Sequence, residues 1–164
     1  MTFTTIEAVD AFRGVLTHEG GLRESVESLK SGYGKEEGLT EAAMLLMRAP
    51  SEIQEKAGPT KYPVIHLYCD RIESRPTEKL RRFSGKVRLV AEVRVSQDRL
   101  EGITESLLLY VDSVRDVVER NSGCMRDGLY LSSEYEVQIE PVRKGGLNFL
   151  QSAKVACVVI VNRT

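Results

Sequence analysis

Two stretches of this sequence hold residue types that could do chemistry at short spacing. The first is Tyr62-Pro63-Val64-Ile65-His66-Leu67-Tyr68-Cys69, where an imidazole and a thiol lie three positions apart. A thiol beside an imidazole can be activated as a nucleophile. The stretch reads as a strand, however, and strand residues three apart point to opposite faces. That geometry cannot make a dyad. The only other histidine, His18, falls on a different element. His66 reads as a structural histidine, and a metal site would need more ligands, at a recognisable spacing, than the chain offers. The second stretch is Ser31-Gly32-Tyr33-Gly34-Lys35-Glu36-Glu37. A phosphate-cradling loop needs Ser or Thr after its Gly-Lys and a strand before it. Here two acids follow the lysine and would repel phosphate. No Gly-x-Ser-x-Gly elbow, His-Glu-x-x-His pair or glycine-rich dinucleotide fingerprint is present. The expectation is a protein with no enzymatic activity and no cofactor.

The remaining candidates are charges arranged for contact. Arg71–Gly85 carries Arg71, Arg75, Lys79, Arg81 and Arg82, opposed by Glu73 and Glu78. It joins two strands yet exceeds what a hairpin needs, and loops of that length are usually functional or disordered. It reads either as a solvated tip or as an arm that meets a partner subunit or a polyanion. Phe83 is its lone aromatic, so it lacks the interleaving that stacks bases. Further on, Glu134, Glu136 and Glu140 share one face of a strand, and Arg143 and Lys144 follow in a turn. The basic loop and the acidic face form a candidate pair between copies. Reversing Arg81 and Arg82 to Glu is then expected to weaken assembly and leave the monomer folded.

The totals narrow the class. A chain of 164 residues suggests one domain with a real core. A net charge of −1 with 29% charged residues argues against coating nucleic acid through bulk charge. The three cysteines, Cys69, Cys124 and Cys157, form no CxxC clip, and their odd count argues against a disulfide framework. They read as buried or half-buried free thiols in a reducing compartment. No basic-then-apolar leader precedes Ile6, and no apolar run approaches the ~20 residues of a membrane span. The expectation is a soluble product made in cells, or part of a particle assembled there.

The elements that position these groups are organised around Lys86–Asn121. Val87, Leu89, Ala91, Val93 and Val95 fall on one face of a strand; Arg88, Glu92 and Arg94 fall on the other, with Val90 as the exception. After Ser96-Gln97-Asp98 the period becomes helical through Leu100, Ile103, Leu107, Val111, Val114 and Val118. Ser96 or Asp98 is the candidate N-cap and Asn121-Ser122-Gly123 the stop. Before this unit, Met1–Leu16 predicts a helix capped at Thr4 or Thr5 and stopped by Gly20-Gly21. Leu22, Val26 and Leu29 predict a short helical turn. Ala42–Met47 predicts a helix ended by Pro50, in which Met44 and Met47 fill core, and Ser51–Gln54 a further turn. Lys61–Asp70 predicts a strand. After the unit, Gly123–Gly128 reads as a loop and Leu129–Val142 as a strand with Tyr135, Val137 and Ile139 inward. Arg143–Gly146 reads as a turn. Leu147–Asn162 reads as a last strand with Leu147, Phe149, Ala153, Val155, Cys157, Val159 and Val161 on one face. Its second face becomes apolar through Ala156, Val158 and Ile160, so its end is either central in the sheet or covered by something else, such as a neighbouring subunit. The fold class is α+β, a largely antiparallel sheet of about four to five strands with the long helix on one face. Residues 1–60 form a helical N-terminal part, and 61–164 the sheet-plus-helix core of a single domain.

This arrangement resembles the tail terminator and tail-to-head joining (neck) proteins of long-tailed bacteriophages. The resemblance runs from about Tyr62 to the end. It rests on Tyr62-Pro63-Val64-Ile65, the long charged loop, Gly85-Lys86-Val87-Arg88-Leu89, the helix Leu100–Arg120, and Lys144-Gly145-Gly146-Leu147-Asn148-Phe149. It implies a non-enzymatic virion protein that forms a ring, often hexameric. Such a ring caps the tail tube, links it to the head connector proteins and leaves a channel for DNA. Partners would be other copies, the tube protein and connector proteins, with no membrane. Arg71–Gly85 would reach toward the tube, connector or lumen. Gly21–Lys56 departs from the minimal pattern. The alternative from the residues alone is a cytosolic oligomeric module that binds a small ligand.

Overall fold

The computed structural model describes residues 5–33, 43–46, 62–75, 83–126 and 128–163. In chain order they form α1 (Thr5–Thr17), α2 (Leu22–Leu29), a 3-10 turn (Lys30–Tyr33), β1 (Ala43–Leu46), β2 (Val64–Ser74), β3 (Phe83–Gln97), α3 (Ile103–Arg120), β4 (Gly123–Arg126), β5 (Leu129–Ile139), β6 (Arg143–Gly145) and β7 (Asn148–Arg163). The sheet order is β1-β2-β3-β7-β5-β4, with β6 also paired to β7. All neighbours run antiparallel except β1 and β2. The class is α+β.

Alternation builds the core. Val87, Leu89, Ala91, Val93 and Val95 of β3 lie opposite Val159, Cys157, Val155, Ala153 and Gln151 of β7. On β2, Ile65 and Leu67 complete this face. The α3 stripe of Ile103, Leu107, Val111, Val114 and Val118 covers it, joined by Ala8, Phe12 and Leu16 of α1. Each buried Leu, Val or Ile contributes ~1.5–3 kcal/mol relative to exposure, so this two-layer contact dominates the fold. α2 packs beside α3. Among the described residues no helix is long and apolar enough to cross a membrane.

Several expectations need correction. Among the described residues the sheet has seven strands rather than about four to five; the extra ones, Ala43–Leu46, Gly123–Arg126 and Arg143–Gly145, are too short to show a period in the sequence. Ala43–Leu46 is a strand, not a helix: it pairs in parallel with Val64–Leu67, and a sheet edge overrides modest helix propensity. The residues-1–60 part is therefore not purely helical. Met47, Pro50 and Ser51–Gln54 lie outside the described residues, as do Thr4 and Gly34–Glu37. The helix does not start at Leu100, which is 57% exposed. The Gln97 amide instead donates to the carbonyls of Arg99 (2.6 Å) and Glu101 (2.7 Å), closing a turn. α3 then begins after Gly102, which takes the left-handed conformation at φ 78°. Leu147 is 94% exposed in the β6–β7 turn and so does not join the apolar face.

The charged connection is shorter than Arg71–Gly85. β2 runs to Ser74 and β3 starts at Phe83, and the Arg75 N–H donates to the Ser84 carbonyl at 2.7 Å. Arg71 thus sits on a strand.

Candidate assembly surfaces

The second face of the sheet carries most of the charge. Its register sets out rows of side chains across four strands. His66 of β2 lies opposite Glu92 of β3, Glu92 opposite Lys154 of β7, and Lys154 opposite Gln138 of β5. One row along come Tyr68, Val90, Ala156 and Glu136. The next holds Arg71, Arg88 and Val158, and the next Glu73, Lys86, Ile160 and Tyr130. The period-two pattern assigned Arg88, Glu92 and Arg94 to this face correctly, but two of them are not open to solvent. Glu92 and Arg94 are buried, along with Val64, His66, Val90 and Ala156. Alternation separates the faces of a strand without telling whether the second is covered. A buried carboxylate requires donors, and the Tyr68 hydroxyl donates to Glu92 Oε2 at 3.0 Å. Burial first, and then the Glu92 charge, push the Tyr68 hydroxyl's pKa well up.

The other half of the face is open. Tyr130 and Ile160 are exposed, and Arg88 and Val158 half-buried. Arg88 donates through Nη1 to Asp70 Oδ2 at 3.2 Å and through Nη2 to Glu136 Oε2 at 3.3 Å. It therefore ties β2 to β5 across β7. Its signal in the sequence was an arginine on the polar face of the best-patterned strand, but nothing local showed which acids it meets.

The candidate contact residues are distributed as follows. Arg71 and Arg75 are exposed and flank Glu73, at 3.3 Å and 3.7 Å. Lys79, Arg81 and Arg82 lie outside the described residues. Glu134 and Glu136 are exposed, and Glu140 is half-buried and accepts from Gln138 Nε2 at 2.9 Å. Glu134 lies where the β5–β7 register shifts, between Leu131 and Tyr135. Arg143 and Lys144 are exposed on β6, beside the Leu147 tip, rather than in a turn. Within one chain Arg71 and Arg75 do not meet the glutamates. Their strand, β2, is separated from β5 by β3 and β7, about 14 Å at the usual strand spacing.

A second polar network lies on the outer side of α3, where α2 and β5 meet it. Tyr33 donates to Asp112, whose other oxygen accepts from Arg115 at 2.7 Å. Arg115 also donates to the Tyr135 hydroxyl at 3.0 Å and 2.9 Å, and that hydroxyl donates to Glu119 at 2.5 Å. Nearby, Ser25 donates to Asp116 at 2.6 Å, and Arg120 reaches both Asp116 and the Gly20 carbonyl. These bonds fasten the N-terminal helices and β5 to α3.

The nucleophile candidates stay apart. Cys69 lies opposite Leu89 on the core face, and His66 lies opposite Glu92 on the other. Cys157 is buried, Cys69 half-buried and Cys124 exposed, which departs from the expectation of uniformly shielded thiols. Among the described residues no cluster of three or more His, Cys, Asp or Glu is placed to hold a metal ion.

Among the described residues, both ends of the sheet offer open edge. β1 covers β2 only along Val64–Leu67, and β4 covers β5 only along Leu129–Leu131. Among the described residues, Tyr68–Ser74 and Tyr135–Ile139 have no strand on their outer sides. Unpaired edges with charged flanks can take another strand. No protein-family model matches this chain, and no curated protein is found to be similar to it.

Proposed function

We propose that this protein is a ring-forming structural component of a tailed-phage virion, a tail terminator or head-tail joining (neck) protein. It caps the tail tube and links it to the head connector, and copies of itself line the ring. The observation that carries this reading is a pair of unlike edges, open among the described residues, on one largely antiparallel sheet that bears a long helix on a single face. Unlike edges favour heterologous contacts, and heterologous contacts that close give rings. The stretches behind the resemblance also lie on the elements that form this sheet. Val64-Ile65 opens β2, Gly85–Leu89 lies in β3, and Lys144–Phe149 spans the β6–β7 hairpin. The basic hairpin, with Arg143, Lys144 and Leu147 exposed, suits contact with a tube or connector protein.

The test is solution mass by light scattering across concentration, with negative-stain imaging of the largest species. Rings with a central hole are expected. A compact dimer of fixed mass without a channel would overturn the reading in favour of a small-ligand module, and a ligand-dependent rise in melting temperature would mark the latter.

A further inference from the structure

The two edges left open among the described residues match one another in a single register. Backbone bonds near each edge fix which groups point outward. Arg75 bonds Ser84, so Arg75 and Ser84 are a hydrogen-bonded pair of the β2–β3 ladder. Such pairs alternate along antiparallel strands. Glu73 and Arg71 therefore direct their backbone groups inward to β3, and Ile72 and Ser74 direct theirs outward. At the other edge the Glu140 N–H donates to the Ser152 carbonyl of β7 at 3.0 Å. By the same alternation Gln138 and Glu136 bond inward, and Val137 and Ile139 present their N–H and C=O groups outward. Two of these outward-bonding residues are apolar and exposed, Ile72 at 52% and Ile139 at 48%. Both lie on the helix side, Ile72 opposite Val87 and Ile139 opposite Ala153.

Strand directions fix the rest. β2 and β5 run opposite to each other, since three antiparallel steps separate them. A second copy that keeps its helices on the same side thus offers its β2 antiparallel to the first copy's β5. With Ile139 opposite Ile72, Val137 falls opposite Ser74, and both pairs can exchange backbone bonds. On the other face the same register sets Glu140 opposite Arg71, Gln138 opposite Glu73, and Glu136 opposite Arg75. Every facing polar pair is complementary, with the Gln138 amide donating to the Glu73 carboxylate. The ladder also has a natural end, because Pro141 stands at the next outward position and has no N–H to give. The in-chain partners of these groups are Arg71 and Arg75 on Glu73, the Gln138 amide on Glu140, and half-buried Arg88 on exposed Glu136, partly exposed contacts that are weak enough to exchange.

We propose that Tyr135–Glu140 of one copy pairs in antiparallel register with Arg71–Arg75 of the next, Ile139 against Ile72, so that the sheet runs unbroken from copy to copy. This rests on the ring reading above and names its joint. The partner is a second copy of this chain, and the acidic strand face meets arginines of β2.

Gln138 and Glu73 form the non-hydrogen-bonded pair of this joint, where Cα atoms approach to about 4.5 Å and a disulfide fits. The experiment uses the full chain with Cys124→Ser, adding Glu73→Cys and Gln138→Cys together and singly. After mild oxidation the double variant should give a reducible ladder of covalent multimers ending at ring size, and each single variant no ladder. Glu136→Arg and Arg75→Glu should each weaken self-association about tenfold, and their combination should restore it. Rings seen by microscopy without cross-linking of the double variant would overturn this joint and leave the ring reading standing. A protein that stays monomeric at every concentration, with no ladder, would overturn both. Equal cross-linking by a single variant would replace this joint with a like-to-like edge.

Discussion

At the residue scale the thiols and the α3 network make the sharpest predictions. Cys157 lies in the core, and burial pushes its thiol pKa up to about 12. Only a trace of thiolate exists there near neutral pH, and access is closed as well. In the native protein Cys124 should alkylate first, half-buried Cys69 more slowly, and Cys157 only on unfolding. Mass spectrometry of an iodoacetamide time course at pH 8 checks the order. Asp116 offers a pH test. The Ser25 hydrogen bond, and after it Arg120, hold its carboxyl below the usual range. Its contribution is therefore full above the ordinary carboxylate pKa and is lost as pH falls through the depressed folded value. Ser25→Ala should cost about 1 kcal/mol at pH 7, as for one hydrogen bond to a partly exposed charge. The gap to wild type should shrink in acid, and urea unfolding at pH 7 and pH 3 measures both.

At the element scale the long, strongly patterned pieces were legible in the sequence. β3, β7 and α3 carry periods of two or of three to four residues over ten positions or more, and the core follows them. The short pieces were not legible. Ala43–Leu46 is too brief to show alternation, and its partner β2 lies some twenty residues on, so its local helix propensity misleads. The start of α3 was hidden because Gln97 caps a turn that looks like a first helical turn in sequence. Of the candidate contact residues, strand faces could be assigned but not partners, since Arg88, Asp70 and Glu136 meet only through folding. Gly102 tests the corrected boundary. At φ 78° any Cβ is strained, so Gly102→Ala should destabilise by about 1 kcal/mol. Thermal unfolding measures the loss. An unchanged midpoint would mean that the helix begins upstream, through Leu100.

At the scale of the whole molecule the question is what holds copies together, and salt separates the contributions. The proposed joint combines a short backbone ladder, one isoleucine pair and two Glu–Arg contacts. Exposed ion pairs contribute ~0.2–1 kcal/mol each, so the two together supply about 1 kcal/mol, or roughly a fivefold change in affinity. Screening shortens from about 10 Å at 0.1 M salt to about 3 Å at 1 M, which removes most of that term. The ladder and the isoleucines respond in the opposite sense or not at all, because apolar burial does not weaken in salt. Self-association should thus loosen about fivefold between 0.1 M and 1 M sodium chloride without abolition, as read by sedimentation velocity. Glu136→Gln with Glu140→Gln should reproduce the high-salt affinity at low salt and flatten the salt response. Association that tightens steadily with salt in the unaltered chain would place the contact on the apolar patch of Tyr130 and Ile160 and away from the charged edges.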